Sequence, residues 1–173
     1  KEYLFMVTKR GIVKKTLLSE FEYQRKGGKI ALTLDDGDEL VYVKHTSGND
    51  DIIIATHDGL SARFGEEDVR PMGRGARGVK GMTLSDGDYI VGCAVISEDK
   101  ALLPITEGGF GKRCEFDNFS AHNRGVKGVM CHGISERTGK LAGIAAVGES
   151  DDIMMITNDG TIIRTPVSGI PFY

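Results

Sequence analysis

The stretch GRGARGVKGM, residues 73–82, gathers Arg74, Arg77 and Lys80 among four glycines. Guanidinium and ammonium groups flanked by glycine suit phosphate. Arg grips two phosphate oxygens at once, Lys supplies a mobile point charge, and glycine lets backbone N–H groups come close to an anion. The stretch is also a literal G-x-G-x-x-G, the phosphate cradle of dinucleotide-binding folds. That fingerprint works only where a strand precedes it and a helix opens on its last glycine. Here Val79, Met82 and Leu84 lead into Ser85-Asp86-Gly87-Asp88, a short strand closed by a hairpin signal. A nucleotide cofactor is therefore not expected.

The same residue types recur. A [K/R]-G-x-K pattern reads at 26–29, 77–80 and 124–127, with steps of 51 and 47 residues. The stretch 69–85 carries Arg70, Arg74, Arg77 and Lys80 without an acid; 24–33 carries Arg25, Lys26 and Lys29, again without one; 122–130 carries Arg124, Lys127 and His122. The chain as a whole has a net charge of −3, so affinity for a polyanion has to come from this localised band. One such loop reads most simply as a solvated turn; three at one repeat position favour polyanion binding. Duplex DNA fits best, through phosphate contacts that position without reading sequence. No Trp is present and no aromatic interleaves with the basic loops, which disfavours base stacking on single strands.

Other chemistry is poorly supported. Cys131-His132, His45, His57 and Cys114 lack zinc-ligand spacing. The paired acids Asp36/Asp38 and Asp86/Asp88 sit at turns, where Asp is favoured for local hydrogen bonding. GGFGKR at 108–113 lacks the Ser or Thr of a P-loop. No catalytic residue, metal or cofactor is expected. Three cysteines suit a reducing cytoplasm, and no apolar run of 18 residues is present, so no membrane partner is expected. A chain that opens on Lys1-Glu2 reads as a piece of something longer.

The elements that carry these loops are a repeat. T-x-x-G-x-x-x-[K/R] occurs four times, with Gly11, Gly59, Gly109 and Gly160 separated by 48, 50 and 51 residues. Its basic members, Lys15, Arg63, Arg113 and Arg164, lie on strands. With Lys112 they are second-rank phosphate candidates, because they serve equally well as partners for acids between repeats. The recurrent Thr suggests no chemistry. Each copy follows an apolar run: YLFMV, IIIA, ALLPI and IMMI. In the second copy, strands are expected over 52–56, 60–64, 79–84 and 89–96, and Pro104 marks an edge strand in the third. Four short strands per repeat of roughly 40–50 residues is the signature of a propeller-like array. The chain is read as all-β, one array with repeats at 1–48, 49–98 and 99–150 and a partial copy at 151–173.

VTKRGIVKKTLLSEF, FGEEDVRPMGRGARGVKGMTLSDGD, GGFGKRCEFDNF and IMMITNDGTIIRTPVSGI resemble the C-terminal domain of the bacterial DNA gyrase A protein. The resemblance implies a β-pinwheel, a propeller-like array with strands exchanged between blades, that wraps duplex DNA on a basic outer rim and supports negative supercoiling. It implies two partners, the gyrase A catalytic core and the gyrase B protein, with ATP and Mg²⁺ used elsewhere in the parent. The family's heptapeptide box, roughly Q-R-R-G-G-(R/K)-G, is matched in part by residues 24–30, where Ile30 stands in place of the last Gly. The topoisomerase IV counterpart and a protein-interaction propeller are the alternatives. PFY at 171–173 has no place in the repeat pattern.

Overall fold

The computed structural model describes residues 1–172. Strands β1 (Tyr3–Thr8), β2 (Ile12–Leu17) and β3 (Leu40–Thr46) form the first blade; β4 (Asp51–Thr56), β5 (Leu60–Gly65) and β7 (Ile90–Val95) form the second. Neither is completed by its own repeat. β6 (Val79–Lys80) leaves the second repeat to pair with β2, and β9 (Val129–Met130) leaves the third to pair with β5, giving sheet orders β3-β1-β2-β6 and β7-β4-β5-β9. The stretch 79–84 thus supplies only a two-residue strand, donated to the preceding blade. In the third blade β8 (Ala101–Thr106) pairs with β10 (Leu141–Val147); β11 (Asp152–Ile156) and β12 (Ile162–Pro166) form the last hairpin. Among the described residues the array is all-β, with short 3₁₀ turns beside the strands.

Stacked sheets explain why IIIA is an unbroken apolar run. Ile52 and Ile54 pack towards blade 1 with Phe5, Val7, Val13 and Phe64. Ile53 points the other way, into a second cluster with Leu102, Phe116 and Phe119. Alternation survives, but both faces are covered, so both need apolar residues.

The repeat motif has a turn-closing role throughout. The hydroxyls of Thr8, Thr56, Thr106 and Thr157 each accept a hydrogen bond from the N–H four residues on, at 3.0, 3.2, 3.1 and 3.1 Å. Gly11, Gly59, Gly109 and Gly160 take φ between 85° and 91°, a conformation that side-chain-bearing residues rarely adopt. At Gly59 space is closed as well: a Cβ would lie 2.8 Å from Ile134 and 2.9 Å from the His132 carbonyl.

Pro104 lies on β8, which pairs with one strand in a two-stranded sheet and so has an edge free of further strands, as the proline suggested. Along that edge residues 111 and 114 form isolated bridges to Ile105 and Leu102, on either side of the missing N–H. The expectation for PFY needs correction, because it does have a place. The Arg113 N–H donates to the Pro171 carbonyl at 2.8 Å, and Phe172 bridges Arg113 just as Pro71 bridges Lys15 and Ala121 bridges Arg63. Tyr173 lies outside the described residues.

Candidate nucleic-acid interface

The basic loops stack in register. Chain turns occur at Lys26-Gly27, Arg74-Gly75 and Arg124-Gly125. Equivalent contacts join each loop to the one before it. The Thr33 N–H and hydroxyl donate to the carbonyls of Ala76 and Gly75 (3.3 and 2.8 Å), and those of Thr83 donate to Val126 and Gly125 (2.9 and 2.7 Å). Arg74 Nη1 reaches the Ile30 carbonyl at 3.3 Å, and Arg124 Nη1 reaches the Lys80 carbonyl at 3.0 Å. The middle copy of the motif is therefore Arg74-Gly75-Ala76-Arg77, three residues before the copy read from sequence. With Arg allowed at its last position the stretch RGARGVK contains the pattern twice, and the strand pairing of Val79 with Val13 and of Val129 with Ser61 agrees with the loop contacts in selecting the first.

A residue that sequence reasoning passed over pins the first two loops together. Lys14 is fully buried, and its ammonium donates to the carbonyls of Ala31 and Arg74, each at 2.6 Å. Burial lowers its pKa, the nearby Arg74 charge lowers it further, and Glu20 opposes both. Its neighbour Lys15 is buried as well, on the other face of β2, so the paired lysines gave no local signal of which partners each would find. At the equivalent place in blade 2 stands Ala62, and in blade 3 Lys112, which is half-buried.

On the band itself, Arg25, Lys26, Arg70, Arg77, Lys80 and Lys127 are exposed, while Lys29, Arg74 and Arg124 are half-buried. Slight desolvation and the charges of Arg74 and Arg25 hold the Lys29 pKa below its ordinary value, as a clustered cation requires. Arg77 meets an acid that its own loop lacks. Nε and Nη2 hydrogen-bond both oxygens of Asp35, at 2.7 and 2.6 Å, which lowers the Asp35 pKa and raises that of Arg77. Both partners are exposed, so water screens the pair and it holds Arg77 only weakly in place.

Three second-rank candidates leave the interface. Lys15 and Arg113 are only 3% and 6% exposed, and Arg63 is largely covered. Each holds the 3₁₀ turn of the next repeat by its carbonyls. Lys15 Nζ donates to Glu66 at 3.0 Å, Arg63 Nη1 to Phe116 and Phe119 at 2.9 and 3.0 Å, and Arg113 Nε to Ile170 at 2.8 Å. Arg63 also pairs with Asp51, Arg113 with Glu149, and the Arg113 guanidinium lies 4.1 Å from the Phe172 ring. These cations are latches between repeats, and burial puts them beyond a duplex. Arg164 is exposed and pairs with Asp152 across its own hairpin at 2.6 Å.

A family model described as DNA gyrase C-terminal domain, beta-propeller, matches residues 2–47, 50–97, 102–147 and 151–173. The chain belongs to this family. The DNA gyrase A protein of Aminobacterium colombiense is 42% identical over 98% of the chain, and that of Escherichia coli is 43% identical over 96%. The chain spans about a fifth of the length of these relatives, 21% and 19%. Two solved domains superpose along almost all of it. The C-terminal domain of DNA topoisomerase IV gives a TM-score of 0.92 at 31% identity, covering 99% of this chain and 54% of that one. The DNA gyrase A C-terminal domain gives 0.89 at 27%, covering 99% and 58%. Shape does not separate the two kinds of gyrase-family domain, which share one fold. The DNA gyrase A proteins of Aminobacterium colombiense, Staphylococcus epidermidis and Escherichia coli, at 42–44% identity, favour that branch.

Proposed function

We propose that this chain binds double-stranded DNA without sequence preference along the stacked basic loops, and bends it around them. The observation that carries the reading is the shared register of the three turns at 26–27, 74–75 and 124–125, fixed by repeated contacts between loops. Phosphate contacts spaced by the repeat have to follow the curvature of the array. Bending a duplex by 40–90° over 20–30 base pairs costs of order 1–6 kcal/mol, which added phosphate contacts offset. Family membership supports the wider reading: the chain is the DNA-wrapping part of a gyrase A protein. It has no activity alone and works with a catalytic core and the gyrase B protein during ATP- and Mg²⁺-dependent negative supercoiling in the cytoplasm. Among the described residues no helix is long and apolar enough to cross a membrane.

Affinity for duplexes of unrelated sequence, measured across roughly 50–200 mM salt, tests the proposal. Log affinity is expected to fall linearly with log salt, by about 0.9 per phosphate neutralised, with the same slope for every sequence. Relaxed circles closed by a ligase in the protein's presence are expected to gain writhe. Binding to a single sequence, or none at low salt, contradicts the proposal. Binding without writhe moves the function to the topoisomerase IV type.

A further inference from the structure

At the junction of blades 2 and 3, His57 and Asp58 from the β4–β5 turn meet Asp88 from the turn before β7. One ligand atom from each lies within 4.8 Å of the other two. Asp88 is 9% exposed. Its Oδ1 is satisfied by the N–H groups of Asp58 and Tyr89, at 3.0 and 2.9 Å; its Oδ2 is buried without a hydrogen-bond partner. A buried carboxylate oxygen without a donor is costly, and a cation beside it removes the cost. His57 Nε2 lies 2.7 Å from Glu107 Oε1 of the next blade, and the ring stacks on Tyr89 with centroids 4.6 Å apart. A carboxylate held by one ring nitrogen is the arrangement that orients a metal-binding imidazole, leaving Nδ1 to act as the ligand.

We propose that His57, Asp58 and Asp88 form a site for a divalent transition cation of the zinc type, with Glu107 orienting the imidazole. One imidazole nitrogen with two carboxylates suits zinc better than magnesium, which prefers all-oxygen octahedral sites rich in water. Bonds of about 2.0–2.2 Å allow donor atoms up to about 4.4 Å apart, so small rotations of His57 and Asp58 close the set. Lys140 Nζ, 2.9 Å from Asp58 Oδ1, is the cation the cluster holds in this structure. Its pKa is raised, chiefly by Asp58, with Asp88 and Glu107 adding to the effect. A dication therefore competes with Lys140 for Asp58. Blade 1 carries Lys9 and Arg10 beside Asp38 at the corresponding positions, so the site is particular to the second repeat. Sequence spacing missed it because its third ligand lies 30 residues beyond Asp58.

Equilibrium dialysis of the protein against Zn²⁺ at neutral pH tests the site. The wild-type protein is expected to take up one equivalent there, lost in both His57→Ala and Asp88→Asn. Asn keeps the Oδ1 acceptor that closes the turns, and melting each variant without zinc verifies that it folds. Glu107→Ala is expected to weaken binding about 10-fold or more. Lys140→Met is expected to strengthen it. No uptake by the wild-type protein, or equal uptake by the wild-type and Asp88→Asn proteins, overturns the proposal.

Discussion

Position in the repeat gives identical residue types opposite roles. Arg63 and Lys127 are both basic residues of a repeated motif, yet Arg63 holds two carbonyls of the neighbouring repeat and Lys127 stands exposed on the band. Crossed outcomes follow. Arg63→Met is expected to cost about 2–3 kcal/mol of stability in denaturant titration, the scale of hydrogen bonds to a charged group, and to leave the salt slope of DNA binding unchanged. Lys127→Ala is expected to leave stability within about 0.5 kcal/mol and to lower the slope by about 0.9. The cysteines give a second check. Burial pushes the thiols of Cys93 and Cys131 up to about 12 and raises that of Cys114. At pH 8 a pKa near 12 leaves about one thiol in ten thousand ionised, so alkylation followed by mass spectrometry should label Cys93 and Cys131 only after unfolding.

Strands and loops are joined by donations that cross repeat boundaries, and Lys14 is the junction between the first two basic loops. Lys14→Met orphans the carbonyls of Ala31 and Arg74. It is expected to raise hydrogen exchange across 25–33 and 73–77 and to weaken DNA binding by loosening the band. The pH dependence has a definite sign. The folded pKa of Lys14 lies below its unfolded value of 10.5, so between the two the unfolded chain binds more protons. Wild-type stability relative to Lys14→Met should therefore rise with pH through the window just below 10.5, and a flat difference would contradict a desolvated ammonium. Lys14 and Lys15 are both buried, on opposite faces of β2, and local sequence did not show that one would hold the basic loops and the other the 3₁₀ turn of the next repeat. The loops that hold the Lys14 ammonium lie 17 and 60 residues away in the chain.

Coverage of the blades is uneven over the described residues. Ile52, Ile53 and Ile54 are fully buried between neighbours, whereas Met154, Ile156 and Ile162 in the last hairpin are 63%, 69% and 61% exposed. Native-state hydrogen exchange should therefore show β4 opening only with global unfolding and β11–β12 opening at much lower free energy. Equal protection of the two hairpins would mean that blade stacking does not set local stability.

Strand type, repeat period, turn glycines and the presence of three basic loops were all written locally, in apolar runs, Asp-Gly pairs and acid-free stretches. Local signals of this kind survive without a partner, because turn conformation and side-chain alternation depend on neighbours a few residues apart. Strand exchange, the true register of Arg74-Gly75-Ala76-Arg77, the pairing of Asp35 with Arg77 and the removal of Lys15, Arg63 and Arg113 from the interface were decided only by tertiary structure. Each depends on a group roughly 40–70 residues away. A basic residue is an exposed cation of the band or a buried latch according to which blade covers it, and covering is a property of the assembled array.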